Sequence, residues 1–198
     1  MPIQLSVSVR NGRADSFETV VGVSPTLEIR TGSQPANCAA ADTGTVLATI
    51  ALPADWMAAA SGGTKSLSGT WQDASADGTG VAGHFRIKQG ATCHMQGSVG
   101  SNQIIVTNAL TAANGNVLNF GSTTGIVVGQ TISGTGIPAG ATVIATTATT
   151  VTMSLSSTAG VANGASITFG FDMSVDNVNF ATGQQFTVNS FTITEGNA

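Results

Sequence analysis

Apolar and polar residues alternate most regularly between His84 and Val99, in HFRIKQGATCHMQGSV, and that alternation predicts two strands joined by a tight turn at Gln89–Gly90–Ala91. On this reading Phe85, Ile87, Cys93, Met95 and Val99 share one apolar face that packs on a core. His84, Arg86, Lys88, His94 and Gln96 take the other face, which is expected to be wet and to form a contact patch, with His84 and His94 as cross-strand neighbours.

Upstream, Ala14, Phe17 and Val21 recur at three and four residues and predict a helix over Ser8 to Val21. Gly22 suits its C-cap and Pro25 forbids a restart. Gly12 inside it costs roughly 1 kcal/mol relative to alanine, so the helix must dock on the sheet to persist. Leu27 to Arg30 alternates as a strand, SQPANCAAADTG follows as a loop of turn formers around Cys38, and Thr45 to Leu52 alternates again until Pro53. Ala54 to Ala60 reads as one or two helical turns presenting Trp56, and Lys65 to Trp71 as a further strand. Both tryptophans sit beside strand ends, which suits core anchors.

Beyond the hairpin the pattern changes. From Lys88 to Asp172 no Asp, Glu, Lys or Arg intervenes, and VLNF, IVVGQTIS, TVIATTATTVTMSL and SITFGF read as short strands between glycine-rich turns. We therefore expect a small all-β module at residues 101–171, inserted into a core domain formed by residues 1–100 and 172–198. If Gly100 and Asp172 are close in space, the insertion joins neighbouring strands at little entropic cost. The core pattern resumes in DMSVDNVNF and FTVNSFTIT. There Phe186 and Val188 are out of phase with Phe191 and Ile193, which predicts a bulge at Asn189–Ser190. The expected fold is mainly β: an antiparallel β-sandwich with one N-terminal helix plus the inserted module, its topology open between sandwich and jelly roll.

Composition narrows the function classes. Charged residues are 8% of the 198, against a typical quarter, and the net charge is −4. No basic stripe is available to displace counterions, so nucleic acid is not an expected partner. No stretch is long and apolar enough to span a bilayer. The opening MPIQLSVSVRNGRADS lacks the basic and apolar regions of a secretory signal peptide, so synthesis in the cytosol is expected. Cys38 and Cys93 are a candidate disulfide pair, held as thiols while the compartment is reducing.

Candidate chemistry is sparse. Gly78 to Gly83 matches GxGxxG but leads into a strand, which suits a turn rather than a dinucleotide cradle. Cys38, Cys93, His84 and His94 would suffice for zinc on paper, yet adjacent Cys93 and His94 point to opposite faces of a strand, so no metal or other cofactor is expected. Asp73 and Asp77 lack EF-hand spacing and read as turn aspartates. Asp172 and Asp176 form a carboxylate pair without a sugar platform, and the chain is not expected to be an enzyme.

The ordered segments RNGRADSFETVVG, SQPANCAAADTGT, LPADWMAAASGGTKSLSGTW, DASADGTGVAGHFRIK and TCHMQG resemble a family of small uncharacterised proteins encoded among the structural genes of tailed bacteriophages and prophages. The resemblance covers about residues 5–99 and 172–198. The intervening block departs from that family, whose members run from TCHMQG almost directly into a segment like DMSVDNVNF, and is similar to β modules of phage fibres and bacterial surface proteins. The resemblance implies a virion component: a capsid decoration (cement) protein on the head exterior, a neck or collar protein, or a tail-fibre base. Expected partners are other virion proteins and further copies of the chain in a homo-oligomer, lattice avidity compensating weak contacts. The alternative is an adhesin whose module binds host-surface glycan, with Phe120, Phe169 and Phe171 as its aromatic candidates.

Overall fold

The computed structural model describes residues 3–196 and divides the chain into two compact units, Met1–Gly100 with Met173–Ala198, and Ser101–Asp172. Among the described residues the fold is mainly β with one helix. The first unit holds helix α1 (Val7–Val21) and strands β1 (Thr26–Thr31), β2 (Val46–Ala51), β3 (Thr64–Ser66), β4 (Gln72–Asp73), β5 (Gly80–Gln89) and β6 (Thr92–Gly100). The second holds β7 (Gln103–Val106), β8 (Val117–Asn119), β9 (Thr131–Ser133), β10 (Val143–Thr146), β11 (Thr150–Met153) and β12 (Ser166–Gly170). The chain then returns to the first with β13 (Met173–Val175), β14 (Asn179–Phe180) and β15 (Phe186–Thr194).

In the first unit the strands run β2-β1-β5-β6-β13-β15-β3, with β14 on β5 and β4 on β15. Phe85 on β5 and Phe191 on β15 belong to strands three places apart, roughly 14 Å in a flat sheet. Their ring centroids are 5.5 Å apart. The sheet therefore curls over itself into a sandwich-like core, where Trp56, Trp71, Phe85, Phe186 and Phe191 pack with Leu27, Ile29, Leu47 and Ile87. Both tryptophans are fully buried, 6.0 Å apart, and satisfy their indole N–H groups on the carbonyls of Gly22 and Ser68.

Helix α1 begins at a Ser6 N-cap and ends at Gly22 with φ +92°. Ala14 and Val21 are buried as the apolar stripe requires, but a polar stripe also docks the helix. Asn11, Asp15 and Glu18, at i, i+4 and i+7, accept backbone N–H bonds from Gly63, Ala60 and Met57. Those carboxylates also pair with Lys65, which is 3% exposed. This docking corrects one expectation: residues 54–60 form no helix, with Met57 bridged to Leu67, because the N–H groups of Met57, Ala58 and Ala60 bond α1 and β3 instead of each other. The strand expected over Lys65–Trp71 is likewise cut to β3, after which β4 begins at Gln72.

Between β13 and β15, Met173 faces Phe191 and Ser174 faces Ser190, whereas Val175 faces Val188. Asn189 is thus the extra residue of a bulge, and Phe186, Val188 and Phe191 all reach the core. Within the same sheet Val99 lies opposite Met173 and Gly100 opposite Ser174, in a short parallel pairing. The chain leaves and re-enters this sheet at adjacent strands.

The second unit is two three-stranded sheets, β10-β11-β8 and β7-β12-β9. Its own core includes Leu118, Phe120, Ile132, Val151, Ile167 and Phe169. Polarity inside it is met by hydroxyls: Thr107 donates to the Ala162 carbonyl at 2.7 Å and Thr111 to Val117 at 2.8 Å. Phe120 and Phe169 stack edge to face at 5.5 Å and are fully buried, so neither is a sugar platform. Strand β7 is not marked by the alternation; its Ile104 and Val106 are exposed. No helix among the described residues is long and apolar enough to cross a membrane.

Candidate functional site

Register assembles the site. On β1, Glu28 lies opposite Arg86 and Arg30 opposite His84; on β6, Gln96 lies opposite Arg86 and Ser98 opposite His84. Directly opposed residues project from the same face of a sheet, so Glu28, Arg30, His84, Arg86 and Gln96 converge on one side while Phe85 and Ile87 enter the core on the other.

The expectation that this side is wet is overturned. His84 is 0%, Arg86 1% and Lys88 8% exposed. The turn-former loop at residues 32–44 covers them, and the buried side chains hold it by its backbone. His84 Nδ1 bonds the Gly32 carbonyl at 3.0 Å, Gln96 Nε2 the Pro35 carbonyl at 2.6 Å, and Arg86 the carbonyls of Cys38 at 2.7 Å and Ala40 at 3.1 Å. Arg30 reaches the carbonyls of Thr43 and Gly44. A loop of Ser, Pro, Asn and Gly has no ladder of its own, and the sheet supplies its donors. The contact patch of His84, Arg86, Lys88, His94 and Gln96 is therefore mostly the underside of a loop. His94 is not beside His84, which faces Ser98.

Asp42, at the end of the loop, closes an ion cluster. Its carboxylate accepts from Arg86 at 2.7 Å, from Arg30 at 3.1 Å and from Lys88, while Glu28 pairs with Arg30 at 2.8 Å and Lys88 at 2.9 Å. Three cations thus share two carboxylates. The Lys88 hydrogen bond, outweighing burial and aided by Arg30 and Arg86, holds the Asp42 carboxyl below its ordinary range. Burial, with the Arg30 and Arg86 charges, pushes the His84 imidazole below its usual value despite the Gly32 bond, so it is the neutral Nδ1–H tautomer that donates there.

Cys93 is on this charged side, not in the core as the alternation predicts. Met95 lies opposite Ile87 but Cys93 lies opposite Lys88, so His94 is an extra residue in β6 and reverses the phase of Cys93. An open cleft of about 580 Å³ lies between the loop segment from Cys38 to Asp42 and the hairpin tip from Ala91 to Cys93, and Arg86 also lines it. Cys38 and Cys93 are both thiols, half-buried, and interact across it. Burial, then the neighbouring Cys93, pushes the Cys38 thiol up to about 11. Burial opposes the charge on Arg86, but Cys93 and Asp42 beside it outweigh that and hold its pKa above the ordinary value.

The other candidates have structural work. Asp73 accepts from the Ser75 and Thr49 N–H groups, and Asp77 from the Thr49 hydroxyl at 2.7 Å. Asp176 accepts from the Thr187 N–H. The glycines of GxGxxG serve close packing: a Cβ on Gly83 would stand 2.1 Å from the Gly32 carbonyl oxygen. Among the described residues no group of three or more His, Cys, Asp or Glu is arranged to hold a metal ion. The sequence carried one signal for the buried ion pairs: four of the six Lys and Arg residues lie at Arg30, Lys65, Arg86 and Lys88, within strands.

No family model, curated protein or solved structure matches the chain. The local geometry therefore carries the functional argument alongside the motif resemblance.

Proposed function

We propose that the chain is a bacteriophage virion structural protein and decorates the exterior of the capsid, binding neighbouring subunits through polar, low-charge faces. The supporting observation is how its basic residues are used. Arg30, Lys65, Arg86 and Lys88 are all buried in ion pairs within the first unit, and the second unit contributes no Lys or Arg at all. A surface with so little positive charge does not steer nucleic acid, and a net charge of only −4 repels further copies weakly, which suits many weak contacts repeated on a lattice. The insertion point adds to the reading. Because Val99 and Met173 are sheet neighbours, a module can be carried between two adjacent strands while the core pairing is retained.

The test is cryo-EM of the particle whose genome encodes the chain, with and without the gene. Density repeated over the shell, lost in the deletion, is the expected result. A ring at the neck or tail would move the role to a collar or fibre-base protein, and absence from the particle would overturn a virion role.

A further inference from the structure

The cleft between the loop and the hairpin tip brings together two thiols from distant parts of the chain, at positions 38 and 93. Each is held in place. Arg86 fixes the backbone of Cys38 through its carbonyl at 2.7 Å, and the Cys93 thiol donates to the Met95 carbonyl at 3.3 Å. Arg86 Nε, buried, has no hydrogen-bond partner, and the Cys93 sulfur lies beside the same guanidinium. The cleft is open to solvent, so a small oxidant has access.

We propose that Cys38 and Cys93 form a reversible intramolecular disulfide, made by exchange with a small-molecule disulfide such as oxidised glutathione, which clasps the loop at residues 32–44 onto the hairpin. In the first step the Cys93 thiolate attacks one sulfur of glutathione disulfide. The glutathione S–S bond breaks, a Cys93–glutathione mixed disulfide forms, and one glutathione leaves as thiolate and takes up a proton. In the second step Cys38 gives up its proton and attacks the Cys93 sulfur, forming the Cys38–Cys93 bond and expelling the second glutathione. Two electrons pass from the two protein thiols to the glutathione disulfide, and two molecules of glutathione are released.

The order of attack follows from the site. Burial, then its neighbour, holds Cys38 protonated with its thiol pushed up to about 11, which makes it the slower nucleophile and leaves the first attack to Cys93 across the open cleft. Cys38 is therefore the resolving residue. In a reducing cytosol the pair stays as thiols and closes when the protein meets an oxidising medium. This inference does not rest on the virion reading.

The full-length reduced chain is incubated with glutathione buffers of graded ratio, acid-quenched, alkylated, and read by intact mass and disulfide-mapped peptides. The expected product is a monomer short of two hydrogens with Cys38 linked to Cys93 and no retained glutathione. Cys38→Ser is expected to stop at one glutathione on Cys93, formed several-fold faster than the adduct on Cys38 in Cys93→Ser. Wild-type protein that stays reduced where the denatured chain oxidises, keeps glutathione without closing, or cross-links between chains would overturn the proposal. The clasp is read by limited proteolysis: cleavage within residues 33–44 should slow several-fold on oxidation, and equal cleavage would refute it.

Discussion

Arg86 and Cys38 are joined by a 2.7 Å hydrogen bond from guanidinium Nη2 to the backbone carbonyl, across 48 positions of sequence. A side chain in the middle of a sheet thus fixes the backbone of a distant loop, and the same guanidinium holds Ala40 and Asp42. The loop is stable because its acceptors are met by buried, charge-assisted donors.

Removing that donor should be costly. Arg86→Met leaves the Asp42 charge one partner short and two carbonyls unsatisfied, and we expect a loss of about 3–5 kcal/mol. Urea denaturation followed by tryptophan fluorescence measures it, since Trp56 and Trp71 both lie in the first unit. A midpoint unchanged from wild type would mean that the cluster does not hold the loop. Arg86→Lys, a point donor in place of a fork, should recover only part of the loss.

His84 should make the first unit sensitive to mild acid. Its folded pKa is depressed, so below about pH 6.5 the unfolded chain binds a proton that the folded chain refuses, and stability falls as pH falls. The slope for one proton is no steeper than about 1.4 kcal/mol per pH unit. Melting temperatures between pH 7 and 5 should drop for wild type and flatten for His84→Asn, whose amide can still donate to Gly32. An identical slope in the variant would assign the effect elsewhere.

Lys65 should hold helix α1 in place. Lys65→Ala strips the cation from Asp15 and Glu18, and a buried pair broken on one side costs about 3 kcal/mol or more. Amide hydrogen exchange should speed up in α1 and at Met57 and Ala60, ahead of the strands. Uniform acceleration across the unit would show that α1 does not detach first.

Two glycine substitutions should act in opposite directions. Gly83→Ala drives a methyl into the Gly32 carbonyl, and overpacking of this kind costs about 1–3 kcal/mol. Gly12, exposed within α1, has no neighbouring atom within 4 Å of where an alanine methyl would stand, so Gly12→Ala should stabilise by about 0.5–1 kcal/mol. Thermal melts of both variants decide the signs.

Most of the β architecture was legible because faces alternate at period two and turns carry Gly, Pro and Asn. The bulge at Asn189 betrayed itself by a change of phase between Val188 and Phe191. The bulge at His94 did not, because Cys93 is apolar enough to pass for a core residue on either face. Alternation also assigns charged residues to solvent, and that rule fails when a distant loop covers them. Nothing local to Arg86 or Lys88 reveals that Asp42 will arrive. The segment at 54–60 reads as helical from its alanines, yet its N–H groups are claimed by side chains of α1, a tertiary choice that overrides propensity.

The extra residue in β6 also fixes where the hairpin can tolerate a change of length. Loss of the His94 codon would restore an unbroken ladder while leaving Cys93 beside the loop and Met95 over the core. A single-residue insertion or deletion elsewhere in these paired segments would turn the following side chains to the opposite face. His94 is thus the position at which a deletion spares both the thiol pair and the aromatic interior.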